Sequence, residues 1–306
     1  MQGRSVWHGL LAFGCLVSAP AFAKGARSWS ASGDQSTLNA ISERAKYLAR
    51  AEQLRTKAAG ETSLTKRPLA AGESTHYVTH KEKDTWYAVF GTLTKERDAF
   101  VVERAFMVPA ERPNIMNPIE ESALPFDPLP FARMEAIAVQ NLKSEMYARY
   151  QKHPREPLIV KVDEGFVAYV MPRESSDQPA LYGGDFKVNF ASDGTSIVAV
   201  QELHTALHSF DFKKCPKTGC LGATHRHESD TPPTETDIAN TMRHPQLAPH
   251  FVTSAKRIFQ IDANGAVRRV ASLTEGQFVL EGTVSSGSAS VKSGGATTTS
   301  AKPQRR

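Results

Sequence analysis

The stretch HRHESDTPPTETD places His225, His227 and, ten residues further on, Asp237 at spacings that suit a single metal ion. The two histidines flank one residue at the end of an expected strand. The strand period of two puts both imidazoles on one face, close enough to share an ion. Asp237 falls in the first turn of an expected helix, where the helix dipole already favours a carboxylate. A strand end, a loop and a helix start can fold these three groups together. Two neutral nitrogens and one carboxylate leave a fourth position for water, the pattern of catalytic rather than structural zinc sites.

The same residues also have a reading without metal. Thr234-x-x-Asp237, directly after Pro232 and Pro233, is close to a capping box with Thr234 as N-cap and Asp237 as the third helical residue. Residues 229–236 are then a polar turn and helix entry. His204 and His208 have i,i+4 spacing in QELHTALHSF. No glutamate sits between them in the zincin arrangement and the preceding SIVAVQ reads as strand, so both are taken as surface or packing histidines. His76, His80 and His153 have no ligand set near them in the chain. The glycine pair of LYGGDF suits a bend or a close backbone approach and lacks the rest of a phosphate loop. There is no Gly-x-Ser-x-Gly elbow.

These groups must be positioned by mixed elements. Residues 37–57 carry Leu38, Ile41, Ala45, Leu48 and Leu54 at helical spacing with charge on the opposite face. TWYAVFGTL and DAFVVERAFMVP read as a hairpin across TKER, followed by a Pro-rich connector that argues for an extended or wrapping segment. A helix is expected over 130–152. The runs PLIVKV and FVAYVM then pair around 163–165, and DFKVNF and SIVAVQEL around Asp193-Gly194, a strong hairpin signal. After LGATHRH comes a helix over 234–244, then a hairpin of FVTSAKRIFQID with AVRRVASL around Asn264-Gly265. Strands and helices mix without strict alternation, so the expected class is α+β, a mixed or antiparallel sheet with flanking helices.

This order of elements around HRHESDTPPTETD resembles the JAMM (MPN-type) zinc metallopeptidase family over roughly residues 127–273, within an expected α+β domain of 127–281. The resemblance implies Zn2+ as cofactor, with His225, His227 and Asp237 as ligands. It also implies a glutamate general base, which element order assigns to Glu156, and a hydroxyl from Thr234 steadying a developing oxyanion. The implied activity is hydrolysis of an amide bond in a peptide or protein substrate. A non-catalytic cell-envelope or interaction protein on the same scaffold is the alternative.

Residues 1–23 join a single basic residue, Arg4, to an apolar run ending in Ala21-Phe22-Ala23, which reads as a removable secretory signal. A lipidated Cys15 is the other reading of that segment. The expected location is therefore periplasmic or extracellular, with no transmembrane segment. In an oxidising compartment Cys215 and Cys220 of CPKTGC form a local disulfide most simply, with half of a zinc site as the alternative. The formal net charge of +5 is carried by Arg4 and by Lys292, Lys302, Arg305 and Arg306, leaving 24–282 balanced. The 282–306 segment is a low-complexity basic tail suited to an anionic envelope surface, not a folded basic face, so nucleic acid is not an expected partner. Residues 24–126 hold the first helix, the hairpin and the connector. Oligomeric state is not legible.

Overall fold

The computed structural model of the chain describes residues 35–62, 69–142, 155–163, 165–172, 179–211, 222–274 and 277–280. The 1–23 segment, the 282–306 tail, Cys215 and Cys220 lie outside the described residues. The fold is α+β. One sheet runs β1 (Ser74–Glu82), β2 (Thr85–Leu93), β3 (Phe100–Val108) and β4 (Asn117–Ile119), antiparallel throughout. A second is ordered β5 (Arg155–Val162), β6 (Gly165–Pro172), β8 (Phe186–Phe190) and β9 (Ile197–Glu202), also antiparallel. Between these elements in the chain, β7 (Ala180–Gly183) pairs with β10 (Leu207–Phe210). The last sheet holds β11 (Ala223–Arg226), β12 (His250–Thr253), β13 (Arg257–Ile261), β14 (Val267–Thr274) and β15 (Gln277–Leu280). There β11 and β12 are parallel and the remaining pairs antiparallel. The α-helices among the described residues are α1 (Gln35–Thr62), α2 (Leu129–Asn141) and α3 (Glu235–Arg243).

The near-continuous apolar runs of β5 and β6 follow from burial on both faces. Alternation sends Leu158, Val160, Val167, Tyr169 and Met171 into a core shared with α1, α3 and the last sheet. Ile159, Ala168 and Val170 go to the opposite core, with Phe131, Met134 and Ala138 of α2 and with Val78 and Val89 of the first sheet. The apolar stripe of α1 lies in the first of these cores: Leu38, Ile41, Ala45, Leu48 and Leu54 are all buried. Two polar links fix its register. Ser42 Oγ donates to the Gly265 carbonyl at 2.7 Å, and Arg44 Nε reaches Glu235 Oε1 at 2.9 Å. These tie α1 to the β13–β14 turn and to the first turn of α3.

Several expected features hold. The hairpins β2–β3, β5–β6, β8–β9 and β13–β14 all form. The Pro-rich connector wraps the first sheet and contributes β4 as its edge strand. Four strands among the described residues are unanticipated, β1, β7, β10 and β15, and β1 pairs along its whole length with β2. FVTSAKRIFQID also splits into two strands, β12 and β13, joined by a turn in which Ser254 N donates to the Arg257 carbonyl at 2.8 Å.

Candidate metal centre

Strand β11 alternates buried and exposed along ATHR, so Ala223 and His225 face inward while Thr224 and Arg226 face out. His227 follows in the same phase, and its N–H extends the ladder to the Thr253 carbonyl at 2.8 Å. The chain then crosses through α3 to the parallel strand β12. This crossover brings the first turn of α3 back over the end of β11.

The capping-box reading of Asp237 holds, and the same carboxylate also faces the histidines. Thr234 is the N-cap, and its Oγ1 accepts from Asp237 N at 3.2 Å. In return Asp237 Oδ2 accepts from Thr234 N at 2.8 Å and from Thr234 Oγ1 at 2.9 Å. This is a full capping box. The other oxygen points at the histidines: Oδ1 is 3.1 Å from His204 Nε2 and 3.1 Å from His225 Nε2. His227 Nε2 lies 3.2 Å from Oδ2.

His204 joins the group, which corrects the surface or packing reading of that residue. Its Nε2 is 3.0 Å from His227 Nε2, and His225 Nε2 is 3.1 Å from the same atom. One ligand atom from each of His204, His225, His227 and Asp237 lies within 4.8 Å of all the others, and all four residues are buried. The group could hold a metal ion. His204 gets there because the chain leaves β9, bends, and re-pairs as β10 against β7. Gly183 makes that approach feasible: at φ +81° a Cβ would stand 2.2 Å from the Ala206 carbonyl oxygen. His208 pairs with Tyr182 on β10 and is exposed, outside the group.

Each ring holds a partner on its other nitrogen. His204 Nδ1 meets Asp185 Oδ1 at 2.5 Å, His225 Nδ1 meets His250 Nε2 at 2.7 Å, and His227 Nδ1 meets Thr231 Oγ1 at 3.1 Å. Such outer contacts orient a ligating imidazole and fix its tautomer. An ionised carboxylate only accepts, so the Asp185 contact puts a proton on His204 Nδ1 and turns Nε2 inward. Tyr182 closes the back, its ring 4.6 Å from that of His250 and its hydroxyl donating to Thr241 Oγ1 at 3.4 Å. Among the described residues, the buried side-chain atoms without a hydrogen-bond partner are Asp185 Oδ2, Asp237 Oδ1 and His250 Nδ1. All three belong to this centre. Buried polar atoms are ordinarily paired, and the orphaned Oδ1 stands 3.1 Å from both His204 Nε2 and His225 Nε2.

The electrostatics favour a positive charge at the same place. Burial opposes charge on His204, but Asp185 and Asp237 overcome it and raise its pKa well above the usual imidazole range. Burial pushes the Asp237 carboxyl up, and the charges of His204, His225 and His227 outweigh it and hold the group well below the carboxylate range. His250 is driven the other way, down to about 3, by burial and then by the neighbouring His225. Without an ion, then, a proton on His204 supplies the charge. A divalent cation in contact with the same atoms would take its place.

The structure thus brings His225, His227 and Asp237 together and sets Thr234 beside the carboxylate as its cap. Glu156 is not brought to this group. It lies on β5, where its Oε2 is 3.4 Å from Arg55 Nε. The residues that sequence reasoning missed are His204, Asp185 and Thr231; His250, which flanks a proline loop able to approach the site, does reach it through His225. The i,i+4 pair of His204 and His208 and the glycine bend before Asp185 were the available signals. Comparison of the chain with family models, with curated proteins and with solved structures finds no match.

Proposed function

We propose that the chain is an exported zinc-binding protein with a JAMM-like second half, in which His204, His225, His227 and Asp237 hold one ion through four protein ligands. The observation that carries this reading is the spacing of the ligand atoms: 3.0 to 3.1 Å along four edges of the set His204 Nε2, His225 Nε2, His227 Nε2 and Asp237 Oδ1, with Asp237 Oδ2 3.2 Å from His227 Nε2. A tetrahedral zinc with bonds of about 2.0 to 2.1 Å has ligand–ligand edges of roughly 3.3 Å. Those four edges are within a few tenths of an ångström of that value, and all the ligand atoms lie within 4.8 Å of one another. Three imidazoles and one carboxylate, with no thiolate, suit zinc in a four-coordinate site. The His-x-His strand, the helix starting at Thr234 and the parallel return strand support the JAMM-like description. Export rests on the 1–23 segment.

Four protein ligands close the shell, which is the structural pattern, whereas hydrolysis needs an open position. The non-catalytic reading is accordingly preferred, with the ion pinning the β9–β10 connection, the end of β11 and the start of α3 to one another. One observation favours a second reading, a zinc-dependent amide hydrolase acting on peptides. His204 is held by Asp185 as a base is held in an Asp–His pair. In that reading His225, His227 and Asp237 are the ligands, and His204 Nε2 takes the proton from the attacking water.

Metal analysis of protein purified without a His tag, combined with a peptide-library assay, separates the two. About one zinc per chain, lost in H227A and accompanied by no peptide cleavage, is the expected result. Zinc-dependent cleavage abolished by H204Q would move the conclusion to the hydrolase. A chain that neither retains zinc nor binds it at micromolar concentration overturns both.

A further inference from the structure

A second constellation, sharing no residue with the metal centre, lies in a cleft of about 690 Å3 between α1, β1, α2 and β5. Ser74 begins β1, and His76, two residues on, points to the same face. Ser74 Oγ is 2.8 Å from His76 Nε2, and His76 Nδ1 is 2.9 Å from Glu135 Oε2 on α2. All three line the cleft; Ser74 is half-buried, and His76 and Glu135 are buried. The carboxylate accepts from Nδ1–H, so Nε2 keeps its lone pair and accepts the serine proton. That is the tautomer in which an imidazole activates a hydroxyl, and the order nucleophile, base, orienting acid is recognised by geometry, not by sequence position.

We propose that Ser74, His76 and Glu135 form a serine-hydrolase site for small carboxylic esters. Ser74 Oγ bonds to the acyl carbon while its proton passes to His76 Nε2. The bond to the alcohol oxygen breaks, and the alcohol leaves with that proton. Water then attacks the acyl-serine, giving a proton to Nε2 that returns to Ser74 Oγ as the acid departs. No reactant other than ester and water is needed. Glu135 is a positioning residue, holding the ring and the charge that forms on it. The volume suits a small molecule. Ala136, Val139 and Pro157 give the acyl chain an apolar wall. Arg97, on the β2–β3 turn, also lines the cleft, its guanidinium donating to Gln140 Oε1 at 2.7 Å and bringing positive charge that a developing oxyanion would meet. Arg55 is otherwise engaged, with Pro157, Glu52 and Glu156. Burial pushes the Glu135 carboxyl above its ordinary range, against the pull of His76 and Arg55.

The test uses the full-length chain with a fluorophosphonate probe and p-nitrophenyl butyrate. One adduct per chain is expected, mapped by peptide mass spectrometry to Ser74, with ester turnover that S74A abolishes without shifting the unfolding midpoint. E135Q should slow turnover by roughly a thousandfold or more, as loss of the orienting acid does in serine proteases. No adduct on the wild-type chain, an adduct confined to another residue, or an S74A chain that keeps the ester rate overturns the assignment.

Discussion

His204 Nε2 and His227 Nε2 stand 3.0 Å apart, although one lies on the loop after β9 and the other just past β11. Two buried imidazoles at that distance need either a shared proton or a shared cation. If His204 is a ligand, H204A should weaken zinc binding by more than about 100-fold, beyond the usual cost of losing an outer-shell partner. H208A should leave affinity unchanged, since that ring is exposed and its centroid is 6.2 Å from that of His225. Competition titration against a chromophoric chelator reads both. Equal affinities for the two variants would remove His204 from the shell.

Asp185 touches no ligand position and acts through His204. Its carboxylate fixes the Nδ1–H tautomer and helps hold the ring cationic when no ion is bound. D185N keeps the size but loses the charge, and its side chain can present a donor to a nitrogen that already carries a proton. Zinc affinity should fall about 10- to 100-fold, the range for an orienting partner of a ligating histidine. The same chelator competition checks it, and an unchanged constant would show that Asp185 is not coupled to the ion.

Thr234 serves the helix whatever occupies the centre. T234A removes the hydroxyl that caps the Asp237 N–H and should cost about 1 kcal/mol of stability, within roughly 0.5 to 2. T234S should recover most of it. Urea unfolding of the metal-free chain measures the loss directly. If T234A instead abolished zinc binding with no change in unfolding, the hydroxyl would belong to the site and not to the cap.

The parts of this molecule that obey local periodicity were legible, and the parts assembled by distant loops were not. The both-faces-buried strands PLIVKV and FVAYVM, the Asp193-Gly194 turn and the amphipathic first helix declare themselves within a few residues. The pairing of His225 with His227 also follows from strand period, and Asp237 from helix entry. The choice between capping box and metal ligand could not be made on sequence because the carboxylate has two oxygens, so capping the helix with Oδ2 still leaves Oδ1 facing His204 and His225. His204 was missed for a different reason. It lies between β9 and β10, and β10 reaches the distant strand β7 only because Gly183 leaves room for the Ala206 carbonyl, a contact with no signature beyond the glycine pair. β1 was missed because STHYVTHKE carries no apolar run; its inward positions are filled by His76, Val78 and His80. Ser74 and His76 therefore had no strand to place them on, and Glu135 comes from a helix fifty-nine residues away.

His80 offers a pH test of the core away from both sites. Its ring sits 4.4 Å from that of Phe126 and 5.1 Å from that of Phe131, measured between centroids. Burial lowers its pKa below 6.5, against Glu82 at 3.5 Å, with Lys161 adding to the lowering. The ring is thus held neutral in the fold, while in the unfolded chain it titrates near 6.5. Below that pH the unfolded state takes up the proton first. The stability tied to His80 is therefore fully present above about 6.5 and is lost as pH falls toward the folded value. Replacing His80 with Phe keeps an aromatic ring in the cluster and removes the titration. Urea unfolding of the two chains between pH 7.5 and 5.5 should show the variant losing less stability than the wild type. Parallel slopes would mean that the ring is hydrated, and free to charge, in the native protein.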